Sequence, residues 1–109
     1  MPNSQLTYLK KSIAYVFNRY VLNKAYLIGH CPEYGLSLKF KTQDGGGRAI
    51  YKKGIYEYEI SELLLRNLKL GEGDVVLDVG ANIGWYSLMM SRFEHAGINI
   101  HCFDPDPDN

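Results

Sequence analysis

The first hydrophobic pattern along the chain is helical. Apolar residues recur at spacings of three and four between residues 5 and 24, which predicts an amphipathic helix. Four basic residues occupy its polar side, and the first 32 residues contain no acidic residue. Such a helix either packs on its own domain or docks on a membrane surface or a partner. Its apolar face, called the apolar stripe below, consists of Leu6, Leu9, Ile13, Val16, Phe17, Tyr20 and Val21.

After this helix, the spacing of apolar residues changes from helical to alternating. Apolar and polar residues alternate over residues 36–41, which predicts a strand. The glycine run that follows Asp44 predicts a turn, and a second strand over residues 48–52 would complete a β-hairpin. Residues 57–69 return to helical spacing, and Gly71 stands where a glycine commonly ends a helix.

The last third of the chain predicts a strand–helix–strand unit. Val75–Val79 is short, apolar and β-branched, as is typical of a buried parallel strand. A tight turn over Gly80–Gly84 leads into a helix over residues 85–93. A second strand over residues 98–103 ends at Asp104, and the crossover between parallel strands is expected to be right-handed.

These elements place the chain in the α/β class. The expected architecture is the first β-α-β unit of an incomplete Rossmann-like sheet, preceded by an N-terminal helix and a β-hairpin. The changes of pattern divide the chain into three segments. Residues 1–34 hold the helix and a linker, residues 35–72 the hairpin and a second helix, and residues 73–109 the first half of a larger domain.

Composition narrows the functional classes. The chain has 109 residues, of which 46% are hydrophobic and 22% charged, as in a single folded domain. No run of 18 apolar residues and no secretion signal occurs, and two cysteines form no disulfide framework, so a cytoplasmic location is expected. The zero net charge argues against a nucleic-acid binder. The charges are unevenly distributed along the chain, because residues 72–109 contain seven acidic residues and one basic residue.

Candidate chemistry lies where the two predicted parallel strands end. Ligands of open parallel sheets bind beyond the carboxyl ends of the strands. Gly80 allows a sharp turn and a close ligand, and Asn82 or a neighbour is expected to cap the helix. The free N–H groups of that helix favour a carboxylate or a phosphate. Asp104 suits two adjacent ribose hydroxyls, because an ionised carboxylate accepts two hydrogen bonds.

Two cofactor classes fit this arrangement, a dinucleotide and S-adenosylmethionine. The dinucleotide fingerprint G-x-G-x-x-G places a glycine where this chain has Asn82. The carboxylate of Asp78 would also repel a diphosphate, whereas it would attract the ammonium group of S-adenosylmethionine. The pattern favours S-adenosylmethionine and leaves a dinucleotide-dependent oxidoreductase as an alternative.

The acidic end of the chain also resembles a metal site. Asp104, Asp106 and Asp108 follow the spacing at the start of a calcium loop. That loop needs a glycine at its sixth position, where this chain has Asn109. We therefore predict no metal site.

Two segments resemble one enzyme family. Asp78–Leu88, with the sequence DVGANIGWYSL, resembles the first motif of FkbM-type S-adenosylmethionine-dependent methyltransferases. Residues 102–109, with the sequence CFDPDPDN, resemble the second motif of that family, in which glutamate is usual at the position of Asp104. A looser resemblance extends back to about residue 45.

The resemblance implies a cofactor, a substrate class and a set of binding residues. It implies methyl transfer from S-adenosylmethionine to a hydroxyl group of a sugar or secondary metabolite, so the partner is a small-molecule or glycan acceptor. It identifies no catalytic residue. The positions that it assigns to the cofactor are Asp78, Gly80, Ala81, Asn82, Gly84, Asp104, Pro105 and Asp106.

The same resemblance predicts how much of the family's domain the chain contains. The domain of this family continues well past the second motif, so the chain is expected to be an N-terminal fragment that is inactive alone. A different hypothesis is a non-catalytic binding module, in which the basic amphipathic helix docks on a membrane or a partner.

Overall fold

A computed structural model describes residues 3–109, apart from the side chains of Glu94 and His95. The chain is mixed α/β and divides into two compact units, Met1–Tyr58 and Glu59–Asn109. The segment boundaries predicted near residues 34 and 72 mark changes of sequence pattern, and they stay a prediction.

Two helices and a hairpin make up the first unit. Its elements are helix α1 (Gln5–Val16), strand β1 (Tyr26–Cys31), strand β2 (Leu36–Lys41) and helix α2 (Gly45–Lys53). The side chain of Ser4 caps α1 by accepting from the N–H of Thr7, and a π-helical turn over Phe17–Val21 continues the helix. The predicted N-terminal helix is confirmed, and it ends at Val21 rather than near residue 24.

The predicted β-hairpin is right in one strand and wrong in the other. The strand predicted over residues 36–41 is confirmed as β2, but its partner is β1. β1 pairs antiparallel with β2, and the turn between them is closed by Gly35 in the left-handed conformation. The strand predicted over residues 48–52 is wrong, because these residues belong to α2. The carboxylate of Asp44 accepts from the N–H of Gly47 at 2.7 Å and so caps a helix. The glycine run is therefore the first turn of that helix.

The core of the first unit lies between α1 and the hairpin. Tyr15 of α1 is buried with Leu27 and Phe40, and Tyr51 packs against them. The hydroxyl of Tyr15 donates to the carbonyl of Thr42. The apolar stripe takes no part in this core, and all of its side chains are exposed. α1 therefore packs on its own unit, but through a face other than its most apolar one.

Two glycines allow α2 to approach the hairpin closely. A Cβ atom at Gly29 of β1 would lie 2.8 Å from Cγ2 of Ile50. A Cβ atom at Gly47 of α2 would lie 2.1 Å from Cγ of Phe40. Neither position has room for a side chain. Because glycine has none, α2 can pack closer to the strands than any other residue would allow.

The second unit contains the predicted strand–helix–strand arrangement. Its elements are helix α3 (Tyr58–Asn67, which begins at the boundary), strand β3 (Val75–Val79), helix α4 (Trp85–Met90) and strand β4 (Asn99–Phe103). β3 and β4 are parallel, with Val79 opposite Phe103. A 3-10 segment over Ser91–Ala96 follows α4, where a longer helix was predicted. The helix end predicted at Gly71 is wrong, because α3 stops at Asn67.

Only one face of this two-stranded sheet is covered. Val75, Leu77 and Val79 are 57%, 62% and 79% exposed, so β3 has the composition of a buried strand but leaves this face open. Val76 and Asp78 alternate with them and face α4. Trp85 is almost fully buried, and its Nε1 donates to Oγ of Ser61 in α3 at 3.0 Å. Within residues 3–109, no helix has both the length and the apolar character needed to cross a membrane.

Candidate functional site

The carboxyl ends of β3 and β4 are joined by backbone hydrogen bonds. The N–H groups of Gly80 and Ala81 donate to the carbonyl of Phe103 at 2.7 and 3.0 Å. These bonds fix the loop after β3 beside the last residue of β4. Two segments separated by more than 20 residues along the sequence thereby form one site, as the strand–helix–strand pattern predicts.

Asp104 is the hydrogen-bonding centre of this junction. Its Oδ2 accepts from the backbone N–H of Asn82 at 2.6 Å, and its Oδ1 accepts from the N–H of Asp106 at 2.9 Å. Nδ2 of Asn109 donates to the same Oδ1 at 3.2 Å. The N–H of Asp106 lowers the pKa of Asp104 most, followed by the amide of Asn109 and the N–H of Asn82. The carboxylate is therefore ionised at neutral pH.

The loop between β3 and α4 depends on backbone conformations that few residues adopt. Gly80, Asn82 and Gly84 have φ angles of 76°, 52° and 79°. Asparagine is one of the few non-glycine residues that tolerate this region. A Cβ atom at Gly80 or Gly84 would meet nothing within 4 Å, so conformation rather than crowding favours glycine at both positions.

Asp78 caps the following helix from the end of β3. Its Oδ2 accepts from the backbone N–H of Ser87 at 3.1 Å and from Oγ of Ser87 at 2.7 Å. Gly84 is the N-terminal cap residue of α4 and offers no side chain. The expectation that Asn82 or a neighbour caps the helix is wrong, because Asp78 reaches a free N–H of the first turn. Sγ of Cys102 completes the cluster by donating to Oγ of Ser87 at 2.8 Å.

An open cavity of about 470 Å³ lies at the ends of the two strands. Its volume falls in the usual range for small-molecule sites. The residues that line it are Val79, Gly80, Cys102, Phe103, Asp104 and Pro105. Gly80, Asp104 and Pro105 were predicted as site residues. The other three were not predicted, because the sequence argument considered the residues that follow the strands and not the last residues of the strands themselves.

The lining of this cavity fits a ribose better than a phosphate. It contains one carboxylate and no basic side chain. Three hydrogen bonds reach the oxygens of Asp104, and a carboxylate has about four acceptor positions. A sugar hydroxyl can use the remaining capacity or displace the amide of Asn109. Phe103 and Val79 add apolar surface suited to an uncharged ring.

The remaining predicted site residues lie around this cavity. Ala81 and Asn82 form the loop, Gly84 begins α4, and the N–H of Asp106 supports the carboxylate of Asp104. Asp78 lies beneath the loop in its bond to Ser87. Among the side chains that the structure describes, no three His, Cys, Asp or Glu residues form a group that could hold a metal ion.

Comparison with known proteins finds a partial similarity. A segment of 44 residues is 46% identical to the 31-O-demethyl-FK506 methyltransferase FkbM of Streptomyces tacrolimicus. This segment is 40% of the present chain and only 16% of that protein. No family model matches the chain, and no solved structure matches it. The similarity suggests a methyltransferase, from a small part of the relative's length.

Proposed function

We propose that the chain contains part of the cofactor site of an S-adenosylmethionine-dependent methyltransferase. The observation that supports this most is the bond between Asn82 and Asp104, which joins the glycine loop to a carboxylate beside a cavity without basic residues. The partial similarity to a methyltransferase points the same way. Bound S-adenosylmethionine would supply an activated methyl group.

Each residue of the junction has a part in this proposal. Asp104 binds the ribose hydroxyls through its ionised oxygens. The N–H of Asp106 and the loop N–H of Asn82 hold that carboxylate in place. The backbone at Gly80 leaves room for the amino-acid end of the cofactor, because no side chain occupies that place. Asp78 orients α4 by accepting from the N–H and the hydroxyl of Ser87 in its first turn.

The acceptor in this proposal is a hydroxyl group of a sugar or secondary metabolite. This part rests on the family resemblance of the two motifs and on the partial similarity. The proposal names no base and no acceptor pocket among the described residues, so binding of the cofactor is the property to test first.

Isothermal titration with S-adenosylmethionine tests the proposal. We expect the chain to bind it and Asp104→Asn to bind at least about tenfold more weakly, since a charge-assisted hydrogen bond is lost. Glu72→Gln is the control, because it also replaces a carboxylate by an amide, but Glu72 is exposed and precedes the opposite end of β3. Equal affinity of the two variants would remove Asp104 from the site. Binding of a nicotinamide dinucleotide in place of S-adenosylmethionine would favour the oxidoreductase alternative.

A further inference from the structure

The apolar stripe of α1 is exposed along its whole length. Its seven side chains are 49–66% exposed, from Leu6 at the first turn to Val21 in the π-helical turn. The side chain of α1 that is buried, Tyr15, points into the core of the unit. By helical spacing, Tyr15 lies on the side of the helix opposite Leu9, Ile13 and Tyr20. α1 therefore presents its most apolar face outward.

A contiguous exposed apolar face of this kind marks an interaction surface. Single exposed apolar side chains are normal, but here they recur over about four turns of one helix. Without a partner, this apolar area stays in contact with water, and the unfavourable free energy of that contact grows with the area.

Basic residues border this face. Lys10 is exposed and lies one helical turn from both Leu6 and Ile13. The guanidinium group of Arg19 lies 4.9 Å from the ring centroid of Tyr20 and also donates to the hydroxyl of Tyr15 at 2.7 Å, so it lies between the apolar stripe and the buried side of the helix. Lys24 is exposed just after the π-helical turn. No acidic residue occurs before Glu33.

The charge of the whole first unit has the same sign. Residues 1–58 contain nine Lys and Arg residues against three Asp and Glu residues, and residues 59–109 contain three against nine. A formal charge of +6 therefore accompanies the apolar stripe. This combination complements an anionic lipid surface. Burial of the apolar face and attraction between basic residues and anionic lipids both contribute to such binding.

We propose that α1 docks on anionic membrane surfaces, with the apolar stripe buried at the level of the lipid headgroups. The helix lies parallel to the surface, since α1 has 12 residues and is too short to span a bilayer. Phe17 and Tyr20 sit at the interface, where aromatic side chains are favoured. Lys10, Arg19 and Lys24 contact the phosphate groups of the lipids.

Co-sedimentation of the full chain with vesicles tests this proposal. One set of vesicles is phosphatidylcholine, and the other is an equimolar mixture of phosphatidylcholine and phosphatidylglycerol. We expect binding to the anionic vesicles only, weakened at high salt. The double variant Leu9→Glu/Ile13→Glu should bind at least about tenfold more weakly, because two charges would enter the apolar layer.

The matched control is the double variant Ile60→Glu/Leu63→Glu in α3, which adds the same two charges. Leu63 of α3 is 62% exposed, close to the 63% of Ile13, but it lies in the other unit. This variant should bind anionic vesicles about as well as the unchanged chain. Because the substituted side chains are exposed, circular dichroism should show native helix content in all variants.

Three outcomes would overturn the proposal. In the first, the unchanged chain stays in the supernatant with both kinds of vesicle. In the second, Leu9→Glu/Ile13→Glu binds the anionic vesicles as well as the control variant does. In the third, the chain forms a dimer that Leu9→Glu/Ile13→Glu loses, and it does not bind lipid. The last result would assign the apolar stripe to a second copy of the chain.

Discussion

The backbone N–H of Asn82 donates to Oδ2 of Asp104 over 2.6 Å, although the two residues lie 22 positions apart. This bond joins the loop after β3 to the end of β4. Asn82 donates it from the left-handed conformation, with a φ angle of 52°, and its N–H lowers the pKa of Asp104. The loop conformation and the ionised state of Asp104 therefore support each other.

This junction should make the second unit sensitive to acid. The pKa of Asp104 lies below its ordinary value of 3.8, so the folded state favours the ionised form. The resulting stabilisation is present above the ordinary value and is lost as the pH falls through the lower folded value. Titration of the Asp104 carboxyl carbon by NMR should give a midpoint below 3.8. Asn109→Ala should move that midpoint upward, and an unchanged midpoint would mean that Asn109 does not act on Asp104.

The close approach of α2 to the hairpin should reverse the usual effect of replacing a helical glycine. Alanine in a helix is ordinarily more stable than glycine by about 1 kcal/mol. Gly47→Ala should instead destabilise the chain by about 1–3 kcal/mol, because its Cβ would overlap the ring of Phe40. Gly45→Ala is the control, since a Cβ there meets nothing within 4 Å. Thermal unfolding measures both, and a Gly47→Ala variant as stable as the control would contradict the packing described.

Ser61 should be needed for the packing of α3 on α4. Its Oγ accepts from Nε1 of Trp85 at 3.0 Å, and both residues are almost fully buried. Ser61→Ala leaves the indole N–H without this acceptor, at a cost of about 1–3 kcal/mol. Trp85 is the single tryptophan, so its fluorescence follows denaturant unfolding directly. A midpoint unaltered by Ser61→Ala would show that this hydrogen bond contributes nothing.

The same substitution should have the opposite effect at Ser12. The Oγ of Ser12 in α1 is buried, and it has no hydrogen-bond partner among the described residues. Ser12→Ala removes this unsatisfied hydroxyl and improves helix propensity, so it should stabilise the chain by about 1 kcal/mol. The measurement is the shift in the midpoint of thermal unfolding. A lower midpoint would indicate that the hydroxyl has a partner in solution.

The sequence predicted the second unit well, because its signals are local. Val75–Val79 is a short β-branched run between a turn and a glycine, and the structure gives β3 these same bounds. Asp104 was identified because it directly follows an apolar strand. The cap on α4 was assigned to the wrong residue, since Asp78 reaches Ser87 across the loop, and sequence spacing does not show such contacts.

The first unit was harder to predict, for two physical reasons. β1 was missed because Tyr26, Leu27 and Ile28 are consecutive apolar residues, which hides the alternation of exposed and buried positions in Tyr26–Cys31. The run of glycines was interpreted as a turn, although the Asp44 cap begins a helix there. Periodicity located the apolar stripe of α1, but it could not show that Tyr15 and not the stripe enters the core.

The two units carry opposite charges, which cancel in the isoelectric point of the whole chain. The value of about 6.8 describes a sum, and neither unit is close to neutral at that pH. Molecules without net charge still carry a basic unit that can attract the acidic unit of a neighbour. Such attraction is strongest in dilute buffer and is screened by added salt. Near neutral pH the protein should therefore dissolve better as salt is added, which is salting-in caused by the distribution of charge along the chain.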